Sequence, residues 1–209
     1  MQEIDEIKAV DGAALAPESV RMLQHVRARA AELSVDAIRS RIQAAVRELE
    51  DAVAAVTAAE AGLRPIPGKW TIAEVVDHIA QTQVRAVEEL RHLLAGRRPP
   101  LPPVYEALRS GAAQWAPWEM LVDDLRHANR AMLELLEGVS GELPENQPTV
   151  RTVVVALTKR EDGTTAPQIF FAELAWKEYA LLQRLHLLDH RTQVKNLHAQ
   201  CASAARAPE

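Results

Sequence analysis

Apolar side chains recur every three or four positions along four long stretches of the chain, and each stretch predicts a helix with one core-facing stripe. The first carries Val35, Ile38, Ile42, Val46, Leu49, Val53 and Val56. Ser34 stands where a cap belongs and Gly62 where a helix stops, so one helix is expected over about 34–62. The second carries Ile72, Val76, Ile79, Val87, Leu90 and Leu94, with Thr71 and Glu74 at capping-box spacing before it and Gly96 after it. The third opens at Pro117 and carries Trp118, Leu121, Leu125, Met132, Leu135 and Val139. The fourth is expected from about Ala166 to about Ala199. Its stripe runs Phe171, Ala175, Tyr179, Leu182, His186, His190 and Gln193, with Leu182 as core.

The connections constrain how these helices assemble. "LRPIPGKW" is short and rigid, which makes the first two helices antiparallel neighbours. "RRPPLPPVYEALRSGAAQWA" holds four prolines and cannot be one regular helix. Residues 140–166 break the helical pattern. There "TVRTVVVAL" is β-branched and "KREDGTT" follows it, which fits a small hairpin or a loop laid over the helices. Residues 1–33 form an extension with one amphipathic helix through Val20, Leu23 and Val26, with Pro17 and Glu18 in its first turn. The expected fold is all-α: a four-helix bundle over 34–200, an extra N-terminal helix, a hairpin or loop insertion between the third and fourth bundle helices, and a frayed tail over 201–209.

Composition narrows the function classes. The chain has 209 residues, 48% of them hydrophobic, and no apolar run approaches the roughly 20 residues of a membrane span. The N-terminus lacks the basic-then-apolar order of a signal peptide. Cys201 is the single cysteine and cannot form an internal disulfide. A cytoplasmic protein with no membrane partner is expected. A net charge of −5 and 4% aromatic residues argue against nucleic acid as a partner.

The chemistry lies where the fourth stripe turns polar. His186 and His190 are four apart, so their rings leave one helix face about a turn apart, a spacing that can grip one metal ion. The same pair could also be packing histidines. A metal would need a third ligand from another helix, and His78 in "KWTIAEVVDHIAQTQ" is the candidate, provided the second and fourth helices run antiparallel. Gln193 and Glu74 are candidates for hydrogen bonding to a ligand or substrate, Glu74 also being a capping residue. Asp77 and Asp189 point roughly 100° away from the histidines that follow them and are expected to be solvated or salt-bridged. Trp70 reads as a plug at the bundle end, and Trp115 and Trp118 as core. His25, His92, His127 and His198 have no partner at ligand spacing. No nucleophile elbow, phosphate loop or carboxylate-rich cation loop is present.

"GKWTIAEVVDHIAQTQ" resembles the G-K-W-S-x-x-E-V-x-x-H start of the second helix in DinB-like (DinB/YfiT) bundle proteins, and "HLLDHRTQ" is similar to their late H-x-x-x-H-R-x-Q signature. The resemblance covers residues 34–200 in helix order. It departs from the family at Thr192, where glycine is common, and at the 140–166 insertion. It implies one divalent transition metal, zinc or nickel foremost, held by His78, His186 and His190, with water or substrate completing the sphere. It also implies a metal-dependent enzyme with a small-molecule substrate, foremost a low-molecular-weight thiol in an S-transferase-like reaction. Hydrolysis and a non-catalytic binding module are the alternatives. The alanine-rich first helix ("AAVRELEDAVAAV") and the extra N-terminal helix lead to the expectation of a homodimer.

Overall fold

The computed structural model describes residues 7–10, 12–141, 147–160 and 162–204. Among them are six α-helices and one two-stranded antiparallel sheet: α1 (Pro17–Glu32), α2 (Val35–Ala54), α3 (Ala58–Ala61), α4 (Ile72–Leu94), α5 (Trp118–Glu137), β1 (Val150–Lys159), β2 (Thr165–Leu174) and α6 (Trp176–Ala204). No helix among the described residues is long and apolar enough to cross a membrane. The chain divides into two compact units, Met1–Ile38 with Glu89–Glu106 and Gly141–Leu182, and Arg39–Glu88 with Ala107–Ser140 and Gln183–Glu209.

In the first unit, β1 and β2 pair from Val150↔Leu174 to Lys159↔Thr165. The reversal is closed by Arg160 N–H donating to Thr164 O, and Gly163 takes φ +79° there, where a side chain would be strained. Phe170, Ala172 and Leu174 are buried at every second residue, a strand period. This corrects the expected start of the last helix near Ala166: Phe171 lies on β2, and α6 begins ten residues later. Helix α1 carries no side-chain cap of its own. Gln168 of β2 supplies one, its Oε1 accepting from Ala16 N–H at 2.8 Å and Ser19 O–H at 2.7 Å. Deeper in this unit the Tyr179 hydroxyl donates to the Glu89 carboxylate, both residues being buried.

The second unit holds most of α2, the first turns of α4, all of α3 and α5, and the larger part of α6. The expected four-helix bundle is present, with Ile42, Leu49, Ile72, Ile79, Leu125, Met132, Leu187 and Val194 in its core. Buried polar groups tie the helices together: Gln83 Nε2 donates to Asn129 Oδ1, and Asn129 Nδ2 donates to Glu50 Oε1. The first helix is shorter than expected. It stops at Ala54 because Thr57 caps α3, taking Glu60 N–H on its hydroxyl while the Glu60 carboxylate takes the Thr57 N–H. Trp118 Nε1 donates to Val56 O across that break, and Trp115 is 70% exposed rather than core.

The stripe of α6 is also shifted. Its buried positions in this unit are Gln183, Leu187, Val194, Leu197 and Cys201, and Leu182 is only half-buried. The helix continues past the expected end at Ala199 to Ala204, while the rest of the expected tail, residues 205–209, lies outside the described residues. His190 occupies the step between Leu187 and Val194, so one imidazole replaces an aliphatic side chain in an otherwise regular three-and-four repeat.

Candidate metal centre

Everything at this site follows from how α4 begins. The Glu74 carboxylate accepts the Thr71 N–H at 2.7 Å, and Thr71 Oγ1 accepts the Glu74 N–H at 3.1 Å, a reciprocal cap that fixes the phase of the helix. One turn on, Asp77 and His78 reach the same stretch of the proline-rich crossover. Asp77 Oδ1 accepts from Ser110 N–H and O–H, and Oδ2 accepts from Gly111 N–H. His78 Nδ1 lies 2.9 Å from Leu108 O. Asp77, expected to be solvated or salt-bridged, is instead 2% exposed, and among the described residues it clamps the 110–111 main chain and the Ser110 hydroxyl.

The three imidazoles meet, as an antiparallel α4–α6 pair allows. His186 Nε2 lies 3.1 Å from His78 Nε2 and 3.0 Å from His190 Nε2. The rings pack edge-on, with centroids 4.3–5.2 Å apart. Gln193, one turn beyond His190, places Oε1 2.8 Å from His190 Nδ1. A carbonyl can only accept, so Nδ1 of both His78 and His190 must donate. In neutral rings this leaves bare electron pairs on both Nε2 atoms, aimed at His186.

Burial keeps the rings neutral. It is the largest cause holding His186 well below the ordinary histidine value, with His190 and His78 adding to it. It likewise lowers His190 to about 4 and depresses His78, against the opposing effects of Gln193 and the Leu108 carbonyl. His186 has one proton to place. Its Nδ1 is buried with no hydrogen-bond partner, and its Nε2 can donate to only one of two neighbours. A proton on Nδ1 leaves three electron pairs facing one another at about 3 Å, and a proton on Nε2 leaves one neighbouring electron pair without a donor. One nitrogen from each ring lies within 4.8 Å of the others, so the three could hold a metal ion. Ligands at about 2.0–2.1 Å in tetrahedral array stand roughly 3.3 Å apart, close to the spacing here.

The other candidates fall elsewhere. Glu74 touches no imidazole; besides the cap, its Oε2 lies 3.0 Å from Arg64 Nη2 and its Oε1 3.6 Å from Arg109 Nη1. Asp189 is exposed. His127 bonds to Asp123 O on its own helix, and His198 lies 3.4 Å from Glu60. Trp70 is a wall rather than a plug, its ring centred 5.0 Å from that of His78. The Leu108 carbonyl, the Asp77 clamp and Arg109 were not anticipated. A main-chain acceptor carries no sequence signal, whereas Asp77 beside His78 could have suggested a second anchor on the same helix turn.

The fold and the converging imidazoles define a helical bundle of the DinB kind. The family model of the DinB superfamily matches residues 41–194, which include all three histidines, and the chain belongs to that superfamily. Among solved structures it resembles YfiT from Bacillus subtilis, described as a probable metal-dependent hydrolase with an unusual four-helix bundle topology. The TM-score is 0.55 at 14% identity, over 80% of this chain and 87% of that one. No curated protein matches the chain in sequence.

Proposed function

We propose that His78, His186 and His190 hold one divalent transition metal through their Nε2 atoms, and that the chain is a metal-dependent enzyme acting on a small molecule. The supporting observation is the tautomer pattern, in which Leu108 and Gln193 fix two ring protons on the outside and turn both Nε2 electron pairs inward. Zinc and nickel suit such a donor set. A metal there would supply a Lewis acid that lowers the pKa of a thiol or water brought to it.

Transfer of a low-molecular-weight thiol to an electrophile is the leading reaction. It needs the thiol to release its proton to solvent, its sulfur to bond to an electrophilic carbon, and the leaving group to depart with its electron pair. Neither Asp77 nor Glu74 stands ready as a base: Asp77 spends both oxygens on the 110–111 main chain and Ser110, and Glu74 is committed to Thr71 and Arg64. A thiol, with an ordinary pKa near 8.5, requires less help to ionise than water does. Hydrolysis is the second reading, favoured by the description of YfiT.

The test is to load chelated protein with zinc or nickel, count metal per chain, and assay two reactions. Conjugation of 2-mercaptoethanol to 1-chloro-2,4-dinitrobenzene reports thiol transfer, and cleavage of p-nitrophenyl acetate reports hydrolysis. Metal-dependent conjugation above ester cleavage supports the leading reading, and the reverse supports the second. Full loading with neither activity leaves a binding module, and no loading ends the metal reading. A homodimer belongs to the same proposal, supported by Val155 and Leu157 on β1, 57% and 69% exposed. Light scattering giving a monomer mass at micromolar concentration would refute it.

A further inference from the structure

The crossover segment is pinned beside the imidazoles at two points, Leu108 through His78 and Ser110 with Gly111 through Asp77. Arg109 lies between those anchors, so its backbone position is fixed while its side chain stays 41% exposed. Its guanidinium carbon sits 5.1 Å from the centre of the Trp70 ring, and the same ring is centred 5.0 Å from that of His78. One indole thus contacts both a cation and a member of the imidazole cluster.

The charge of Arg109 is poorly matched. Its ion-pair contact among the described residues is the 3.6 Å approach to Glu74, longer than a hydrogen bond. Glu74 also faces Arg64 and accepts the Thr71 N–H, so one carboxylate answers two guanidiniums. Asp77, the nearest other acid along α4, has both oxygens taken by the loop. A planar guanidinium held on an aromatic face, with N–H groups to spare, is suited to a carboxylate.

We infer that Arg109 is the specificity residue of this site: it binds the carboxylate of a small substrate whose thiol end lies at the three imidazoles. This rests on the metal reading above. The substrate class is then an acid-bearing thiol with an arm of several bonds between sulfur and carboxylate, long enough to pass the edge of Trp70.

Cobalt-loaded protein tests this without any turnover, because thiols binding at cobalt change its visible spectrum. The probes are 6-mercaptohexanoate and 6-mercaptohexanol, alike except for charge. Wild-type protein should bind the acid about fivefold more tightly, the scale of one partly exposed ion pair. Arg109→Gln should bind the alcohol as before and lose the preference, with unchanged cobalt stoichiometry, and Arg109→Lys should keep part of it. Equal affinities in wild type, or an undiminished preference in Arg109→Gln, would overturn the assignment and leave Arg109 as a brace for Trp70 and Glu74. Absence of cobalt binding would sink the metal reading instead, and this inference with it.

Discussion

Two of the places where helices α4 and α6 bury polar side chains differ in how their hydrogen bonding closes. In one, the Tyr179 hydroxyl donates to the Glu89 carboxylate, a donor meeting an acceptor. In the other, His78, His186 and His190 bring three nitrogens together with at least two bare electron pairs among them. A buried polar group left unmatched costs about 1–3 kcal/mol, so the first arrangement is self-sufficient and the second is not. Buried polarity alone therefore says little about function; what matters is whether the protein's own groups complete it. By that measure the imidazole cluster could hold a cation, and the Tyr179–Glu89 pair is a strut.

The largest way to break this contrast is to remove imidazoles. Chelated wild-type protein should gain about 2.7 kcal/mol of stability when zinc or nickel is present at a hundred times its Kd, by mass action on the native state. The His186→Ala, His190→Ala double variant should bind no metal and show no metal-dependent rise in Tm. A full complement of metal in that variant would reduce the cluster to packing.

Next comes the pH dependence of the metal-free protein. In the unfolded chain the three histidines titrate near the ordinary 6.5, whereas burial lowers His190 to about 4 and holds His186 well below its ordinary value. Below 6.5 the unfolded chain therefore binds more protons than the folded one. Stability is fully present above that pH and is lost as pH falls toward 4. Urea melts of chelated protein at pH 8, 6 and 5 should show the decline, and the double variant should flatten it.

Two smaller tests sharpen the comparison. Gln193→Ala removes the acceptor that orients His190, and metal affinity measured by competition with a chelator should fall about 10–100-fold. Tyr179→Phe removes a donor from Glu89 and should cost about 1–3 kcal/mol in denaturant melts while leaving metal affinity unchanged. If Tyr179→Phe weakened metal binding as much as Gln193→Ala, the two places would not be separable.

Much of this was legible in the sequence because bundle helices bury their side chains at a regular period. The cores of α2, α4 and α5 follow the spacing of their aliphatic residues, except near the ends of α4 and α5, where Leu93 and Leu136 are buried and the expected Leu94 and Leu135 are half-buried. Errors arose where one pattern runs into another. β2 ends at Leu174 and α6 begins at Trp176, so "IFFAELAWKEYALL" reads as continuous helix although its first part alternates. The α2 break at Thr57 is hidden in alanines that suit either state. In α6, Leu181 and Leu182 compete for one stripe, and the tertiary fold buries the first. His186 and His190 were legible from spacing, and His78 from its motif. The groups that orient the rings were not, because Leu108 contributes only its carbonyl and Asp77 acts on main chain far along the sequence.

The double anchoring of the crossover also has a bearing on loop engineering. His78 and Asp77 bind backbone carbonyl and amide groups at 108, 110 and 111, so the length of this stretch matters more than the side chain at Leu108. Polar substitution at 108 would leave the imidazole's acceptor in place. Inserting one residue between 108 and 110 would carry either the carbonyl or the amides out of register.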